Sequence, residues 1–98
     1  MLRKLPYSDE TKVIRYQLLK ASTSVASNYR AVCRARSKAE FIAKIGVVLE
    51  EADESAFWLE FMIEIKLLPS AEIEPYLAEA NELVAIFARS QRTARGES

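Results

Sequence analysis

The chain has 98 residues, 14 Lys/Arg balanced by 14 Asp/Glu, 50% hydrophobic side chains, two glycines, three prolines and one cysteine. A chain this short makes one domain, 1–98, and buries only about 60 to 70 % of its unfolded surface, so it needs an efficient core or a partner. The absence of histidine excludes the Ser-His-Asp triad, Cys-His catalysis, Glu-x-x-His di-iron ligation and the common zinc sites, and the lone Cys33 excludes an internal disulfide.

The N-terminal stretch MLRKLPYSDE lacks the apolar segment of a signal peptide, and no run of about 18 uncharged apolar residues marks a membrane span. A cytoplasmic protein without membrane contact is the expectation. Scarce glycine and proline suit long helices, and the predicted fold class is all-α, an antiparallel up-and-down bundle.

Ser8 precedes Asp9 and Glu10, so a first helix is predicted over residues 8–35, its hydroxyl accepting from a first-turn N–H and the two acids facing the positive dipole end. Ile14, Leu18, Ala21, Val25, Tyr29 and Val32 recur at steps of three or four as one apolar seam. Beside it lies ASTSVAS, residues 21–27, whose small side chains let another helix axis come close. Asn28 interrupts the seam, and a buried amide there would need hydrogen-bond partners at a helix contact.

Ser37-Lys38-Ala39-Glu40 reads as a capping box opening a second helix over 38–67. Phe41, Ile45, Val48, Ala52, Leu59 and Ile63 share one face of it. Trp58, Phe61, Ile65 and Leu68 form a further apolar stripe, about 120° away at 100° per residue, so this helix needs two neighbours or a subunit contact. Trp58, Phe61, Ile65 and Leu68 are therefore the candidate oligomer interface.

Pro69 breaks the chain, and Ser70, or Glu74 followed by Pro75, opens a third helix over 70–94 with a seam of Ile73, Leu77, Ala80, Val84 and Phe87. The predicted core is Leu18, Val25, Phe41, Ile45, Val48, Leu59, Ile63, Leu77, Val84 and Phe87. No repeat or internal boundary interrupts the three helices.

Charge is distributed unevenly. Residues 1–44 hold ten basic against three acidic side chains, residues 45–88 one base, Lys66, against ten acids, and the last ten residues Arg89, Arg92, Arg95 and Glu97. Such asymmetry marks either a surface for a charged partner or one helix paired with its neighbour, and the neighbour pairing is the default. Arg30, Arg34, Arg36 and Lys38, with Lys44, crowd the junction of the first two helices and are the candidate nucleic-acid-binding residues. Tyr29 beside Arg30 offers a ring on which a base can stack, although a seam aromatic is by default core.

Glu50, Glu51, Asp53 and Glu54 would offer oxygen ligands to a divalent cation, but without a second acidic run the default is solvated carboxylates. Cys33 lies among Arg30, Arg34 and Arg36, where positive charge favours a thiolate, but with no base or resolving cysteine it reads as a small packed side chain. No metal and no cofactor are expected.

With these residues in hand, the chain resembles the bacterial four-helix bundle family of 23S rRNA intervening sequence proteins, whose relatives include the accessory protein of diversity-generating retroelements. The resemblance rests on QLLKASTSVASNYRAVCRARSKAEFIAKIG, residues 17–46, and LEEADESAFWLEFM, residues 49–62, and spans about residues 9–90. Family members usually carry an acid where this chain has Ala31, and a helix of some 20 residues where only MLRK precedes Leu5-Pro6. On that pattern the chain shows three of four helices, the fourth covering an apolar stripe.

The resemblance implies a non-enzymatic bundle that assembles into a homo-oligomer, typically a pentamer, whose basic patches engage RNA or DNA or a nucleic-acid enzyme. The expected function is an oligomeric interaction module binding nucleic acid weakly through the basic helix junction. The alternative is a protein-protein scaffold without nucleic-acid binding.

Overall fold

The computed structural model of the protein describes residues 2–96 and contains a 3₁₀ turn, Leu2–Lys4, followed by three helices: α1 (Asp9–Cys33), α2 (Lys38–Glu64) and α3 (Ser70–Ala94). The described residues include no strand.

Local chemistry sets each boundary. α1 opens with a reciprocal capping box: Thr11 N–H donates to Ser8 Oγ at 3.1 Å and Ser8 N–H donates to Thr11 Oγ1 at 2.9 Å. Thr11 is buried, and its hydroxyl also donates to the carbonyl of Pro6 at 2.6 Å, pinning the Leu5-Pro6 turn to the helix start. α2 begins where Ser37 Oγ accepts from the N–H of Glu40 at 3.0 Å. The predicted box is half made there, because the Glu40 carboxylate turns to Lys44 instead.

α2 ends three residues before the predicted limit. Lys66 adopts φ 58°, the left-handed region, while its N–H donates to Ile63 O at 3.1 Å and that of Leu67 to Met62 O at 3.2 Å. This is the paired-bond helix stop normally built on glycine, here made by a lysine, and so without a sequence signal. α3 starts at Ser70 rather than Glu74, and Pro75 therefore sits in its second turn, where it supplies no N–H to the carbonyl of Ala71.

The helices run up, down and up. α2 packs against both α1 and α3, while no comparable contact joins α1 to α3, so the chain forms a slab with α2 in the middle and Cα extents of 45 × 22 × 15 Å. The two neighbours demanded by the apolar faces of α2 are thus α1 and α3.

One core cluster joins Leu5, Ile14 and Leu18 to Leu59 and Met62 of α2 and Ile73 of α3. The other, towards the far end, joins Val32, Ile45, Val48, Ala52 and Phe87. Of the predicted core, Leu18, Ile45, Val48, Leu59 and Phe87 are buried, and Val25, Phe41, Ile63, Leu77 and Val84 are half-buried. Tyr29, placed on the α1 seam, is 48% exposed. No described helix is long and apolar enough to cross a membrane.

Candidate nucleic-acid interface

Because α1 and α3 run in the same direction, their C-terminal ends flank the N-terminal end of α2. Gln91 Nε2 donates to the carbonyl of Ile42 at 3.5 Å, and the rings of Tyr29 and Phe87 lie 5.8 Å apart, tilted by 38°. These contacts fix which side chains share this end of the slab.

Arg30 lies in the last turn of α1, Arg34 is its C-cap residue, Arg36 stands in the linker and Lys38 opens α2; all four are exposed. Cations are favoured beside the carbonyl end of α1, which accounts for Arg30 and Arg34. Lys44 is placed differently, half-buried one turn further along, with Nζ 2.8 Å from Glu40 Oε1. The hydrogen bond from Lys44 lowers the Glu40 carboxyl below its ordinary value; desolvation opposes this, and the charge of the same ammonium and a hydrogen bond from the Arg36 backbone add to it.

Three further arginines belong to this end. Arg89 and Arg92 of α3 and its C-cap residue Arg95 are exposed and lie within a few residues of Phe87 and Gln91, which touch Tyr29 and α2. In sequence they read only as charges complementing the α3 dipole, since nothing local shows that α3 returns to the end where α1 stops. Over residues 28–46 and 86–96 Glu40 is the single carboxylate.

The default expectation that these bases pair with acids of the neighbouring helix is not met. Among the described residues the ion pairs are Lys4–Glu72, at 2.9 Å, and Glu40–Lys44, so Arg30, Arg34, Arg36 and Lys38 enter none. Glu50, Asp53 and Glu54 stand exposed further along α2. They form no metal-binding group, and the described residues include no cluster of three or more carboxylate or cysteine ligands.

Between α1 and α3, with α2 as its floor, an apolar groove stays open. Near the basic end it widens to a cavity of about 480 Å³ lined by Tyr29, Cys33, Phe41, Ile45, Ile86 and Phe87. Further along, a second cavity of about 470 Å³ is lined by Leu18, Ser22, Val25, Ala52, Leu59 and Ala80, and Val25 and Leu83 border both. Of the small residues 21–27, Ser22, Val25 and Ala26 border this groove while Ala21 is buried, and Ser22 and Thr23 return their hydroxyls to the carbonyls of Leu18 and Leu19 at 2.7 and 2.8 Å. Cys33 is exposed at the groove edge rather than packed. Asn28 is half-buried and makes no side-chain hydrogen bond among the described residues.

The candidate oligomer stripe does not share one environment. Trp58 is half-buried on the first core cluster together with Leu68, whereas Phe61 and Ile65 are exposed. Phe57, not singled out in the sequence, is 54% exposed and packs edge-on to Trp58 at 5.1 Å and over Phe61 at 6.2 Å. Trp58 Nε1 is buried with no hydrogen-bond partner among the described residues.

A three-helix slab with an arginine-rich end and an open apolar groove defines a small all-α bundle protein. The family model for the 23S rRNA-intervening sequence protein matches residues 1–89, and the chain belongs to that family. A solved structure from Bacteroides thetaiotaomicron, described as a protein with unknown function from the S23 ribosomal protein family, superposes with a TM-score of 0.77 at 29% identity, covering 82% of this chain and 74% of that one. No curated protein sequence matches.

Proposed function

We propose that this protein is a non-enzymatic, oligomeric interaction module that binds nucleic acid through the basic end of its helical slab. The observation that carries the reading is that Arg30, Arg34, Arg36 and Lys38 share one end of the slab with Arg89, Arg92 and Arg95, all exposed, where the single carboxylate, Glu40, is already engaged by Lys44. Guanidinium groups bind phosphate in a bidentate fork, and a cluster without internal ion pairs keeps that capacity for a ligand.

Acids on the outer side of α2 repel phosphate, so the affinity expected is weak, in the range of about 10⁻⁴ to 10⁻⁶ M typical of non-specific binding. The names of the family model and of the matched structure's family, rRNA-intervening and ribosomal, make RNA the first ligand to test. A homo-oligomer, a pentamer by family resemblance, would repeat the basic end in every subunit, and a nucleic-acid enzyme is a further partner of the same chemistry.

Fluorescence anisotropy of a labelled RNA across a salt series tests the reading. Binding should fall steeply with salt, and Arg34→Glu with Arg36→Glu should abolish it while helicity stays unchanged. Absence of RNA and DNA binding even at low salt would refute it.

The scaffold alternative draws on one observation, the exposed Phe57, Phe61 and Ile65 on α2, an apolar surface suited to a protein contact. That contact would operate alongside nucleic-acid binding or without it, and the salt series distinguishes the two.

A further inference from the structure

We propose that the outer edge of α1 in one copy docks on the outer face of α2 in a second copy, a head-to-tail contact in which a basic surface meets an acidic one. The inference rests on the oligomeric part of the reading above and deepens it by assigning the two faces that meet.

Each copy carries two exposed apolar stripes at the same level of the slab. On α1, Val13, Tyr16 and Leu19 are exposed, Tyr16 by 61%, on the side turned away from Ile14 and Leu18. On α2, Phe57, Phe61 and Ile65 are exposed on the side turned away from Leu59. Ile14, Leu18 and Leu59 belong to one core cluster, which fixes the shared level. α1 packs chiefly on α2, whereas α2 packs on both its neighbours, so the two stripes point in different directions and one copy presents both. Apolar surface rimmed by charge marks a protein contact.

The rims carry opposite charge. Lys12 and Lys20 flank the α1 stripe, both exposed, and α1 carries no acid after Glu10. Glu54, Glu60 and Glu64 border the α2 stripe, all exposed, and α2 carries no base beyond Lys44. None of these five side chains enters an ion pair among the described residues. Pairing two α2 faces would set acids against acids, and pairing two α1 edges bases against bases, so like charge disfavours a symmetric dimer through either stripe. The complementary choice is α1 on α2, a contact that uses different surfaces of the two copies.

The registers agree as well. Because the stripes lie at one level, copies that point the same way overlap along their whole length, with α1 of one antiparallel to α2 of the next. Seating Tyr16 between Phe57 and Phe61 then brings Lys12 to the level of Glu64 and Lys20 to the level of Glu54, each about 6 to 7.5 Å from the centre of its stripe at 1.5 Å per residue. Copies aligned in this way turn every basic end to the same side, where a polyanion would meet them as one surface.

The test is light scattering on the full chain at tens of micromolar, with circular dichroism as the check on folding. Wild type should have a mass above that of one chain. Lys12→Glu with Lys20→Glu should shift it towards the single-chain value, and so should Glu54→Lys with Glu64→Lys; all four residues are exposed, so helicity should persist. The decisive variant combines the four substitutions, which exchanges the charges across the same contact and should restore the wild-type mass. A monomeric wild type, or a four-substitution variant no heavier than either pair, overturns the proposal. Unchanged mass in both pairs, with RNA binding weakened by Lys12→Glu and Lys20→Glu, would assign the α1 edge to phosphate and equally overturn it. Arg34→Glu with Arg36→Glu lies at the other end of the slab and should leave the mass unchanged. A wild type that assembles as described but binds no nucleic acid refutes the nucleic-acid reading alone.

Discussion

A Cβ placed on Gly46 would stand 3.0 Å from Nε2 of Gln91, the atom that donates to the carbonyl of Ile42 across the α2–α3 contact. The obstructing atom is the tip of a flexible side chain, and the hydrogen bond it would surrender is long, at 3.5 Å. Against that stands the cost of glycine inside a helix, about 0.8 to 1.0 kcal/mol relative to alanine. Gly46→Ala should therefore leave stability unchanged or raise it by up to about 1 kcal/mol in urea unfolding. A loss larger than that would mean α3 cannot yield at this crossing.

Lys66 poses the reverse problem, a side chain at φ 58° where glycine is the usual occupant. Left-handed backbone costs a non-glycine residue about 1 to 2 kcal/mol, offset in part by the extra freedom glycine gains in the unfolded chain. Lys66→Gly should raise the denaturation midpoint, by about 0.5 to 1 kcal/mol in free energy, without changing the slope of the transition. An unchanged or lowered midpoint would show that the Lys66 aliphatic stem packs usefully where it lies.

These two positions also show why parts of the fold were legible and others not. Cap chemistry and three-to-four-residue spacing carry helix starts and seams, so Ser8, Ser37 and the Ile73-to-Phe87 seam were readable. The end of α2 was not, because its stop signal sits on a lysine. Met62, buried completely, was missed because α2 is packed from two sides and buries more than one stripe. Val25 and Phe41, counted as core, are half-buried because they border the open groove. At the site, the run from Arg30 to Lys38 is local and therefore visible. Arg89, Arg92 and Arg95 join it only through the up-down-up topology, which no local pattern records.

The aromatic face yields a prediction that separates folding from assembly. Trp58 packs on the core, so Trp58→Glu would bury a charge and should lower helicity, not merely alter association. Phe61 is exposed, and Phe61→Glu should keep the helical spectrum while shifting the mass seen in light scattering if this face joins subunits. An unchanged mass for Phe61→Glu, with wild type already monomeric, would remove this face from any assembly.

Trp58 also carries a buried donor without a partner among the described residues, an arrangement that costs about 1 to 3 kcal/mol of desolvation. Trp58→Phe deletes the donor and keeps most of the ring. It should cost less than about 2 kcal/mol in urea unfolding, because losing an unpaired buried donor offsets part of the transfer and cavity cost of the smaller ring. A much larger loss would mean the indole N–H is satisfied in the working protein, most directly by a second subunit.

The last prediction concerns Glu40, the one carboxylate at the basic end. It engages Lys44 and sets itself against any phosphate approaching Arg36 and Lys38. Glu40→Gln removes that charge and releases Lys44, so RNA should bind more tightly, with the salt dependence steeper by about 0.7 in the log-log slope for one additional phosphate contact on a single strand. The pH dependence has the same origin. The carboxyl is held below its ordinary range by Lys44, so its contribution to folding is complete above the unfolded value and is lost as pH falls through the lowered folded value. Protonation there frees Lys44 as the substitution does, and wild type should approach the affinity of Glu40→Gln only at that acidic limit. The comparison is made by anisotropy at neutral and acidic pH with circular dichroism confirming that helices persist. Equal affinity of Glu40→Gln and wild type at neutral pH would show that phosphate passes nowhere near the start of α2, and would confine binding to the arginines of α1 and α3.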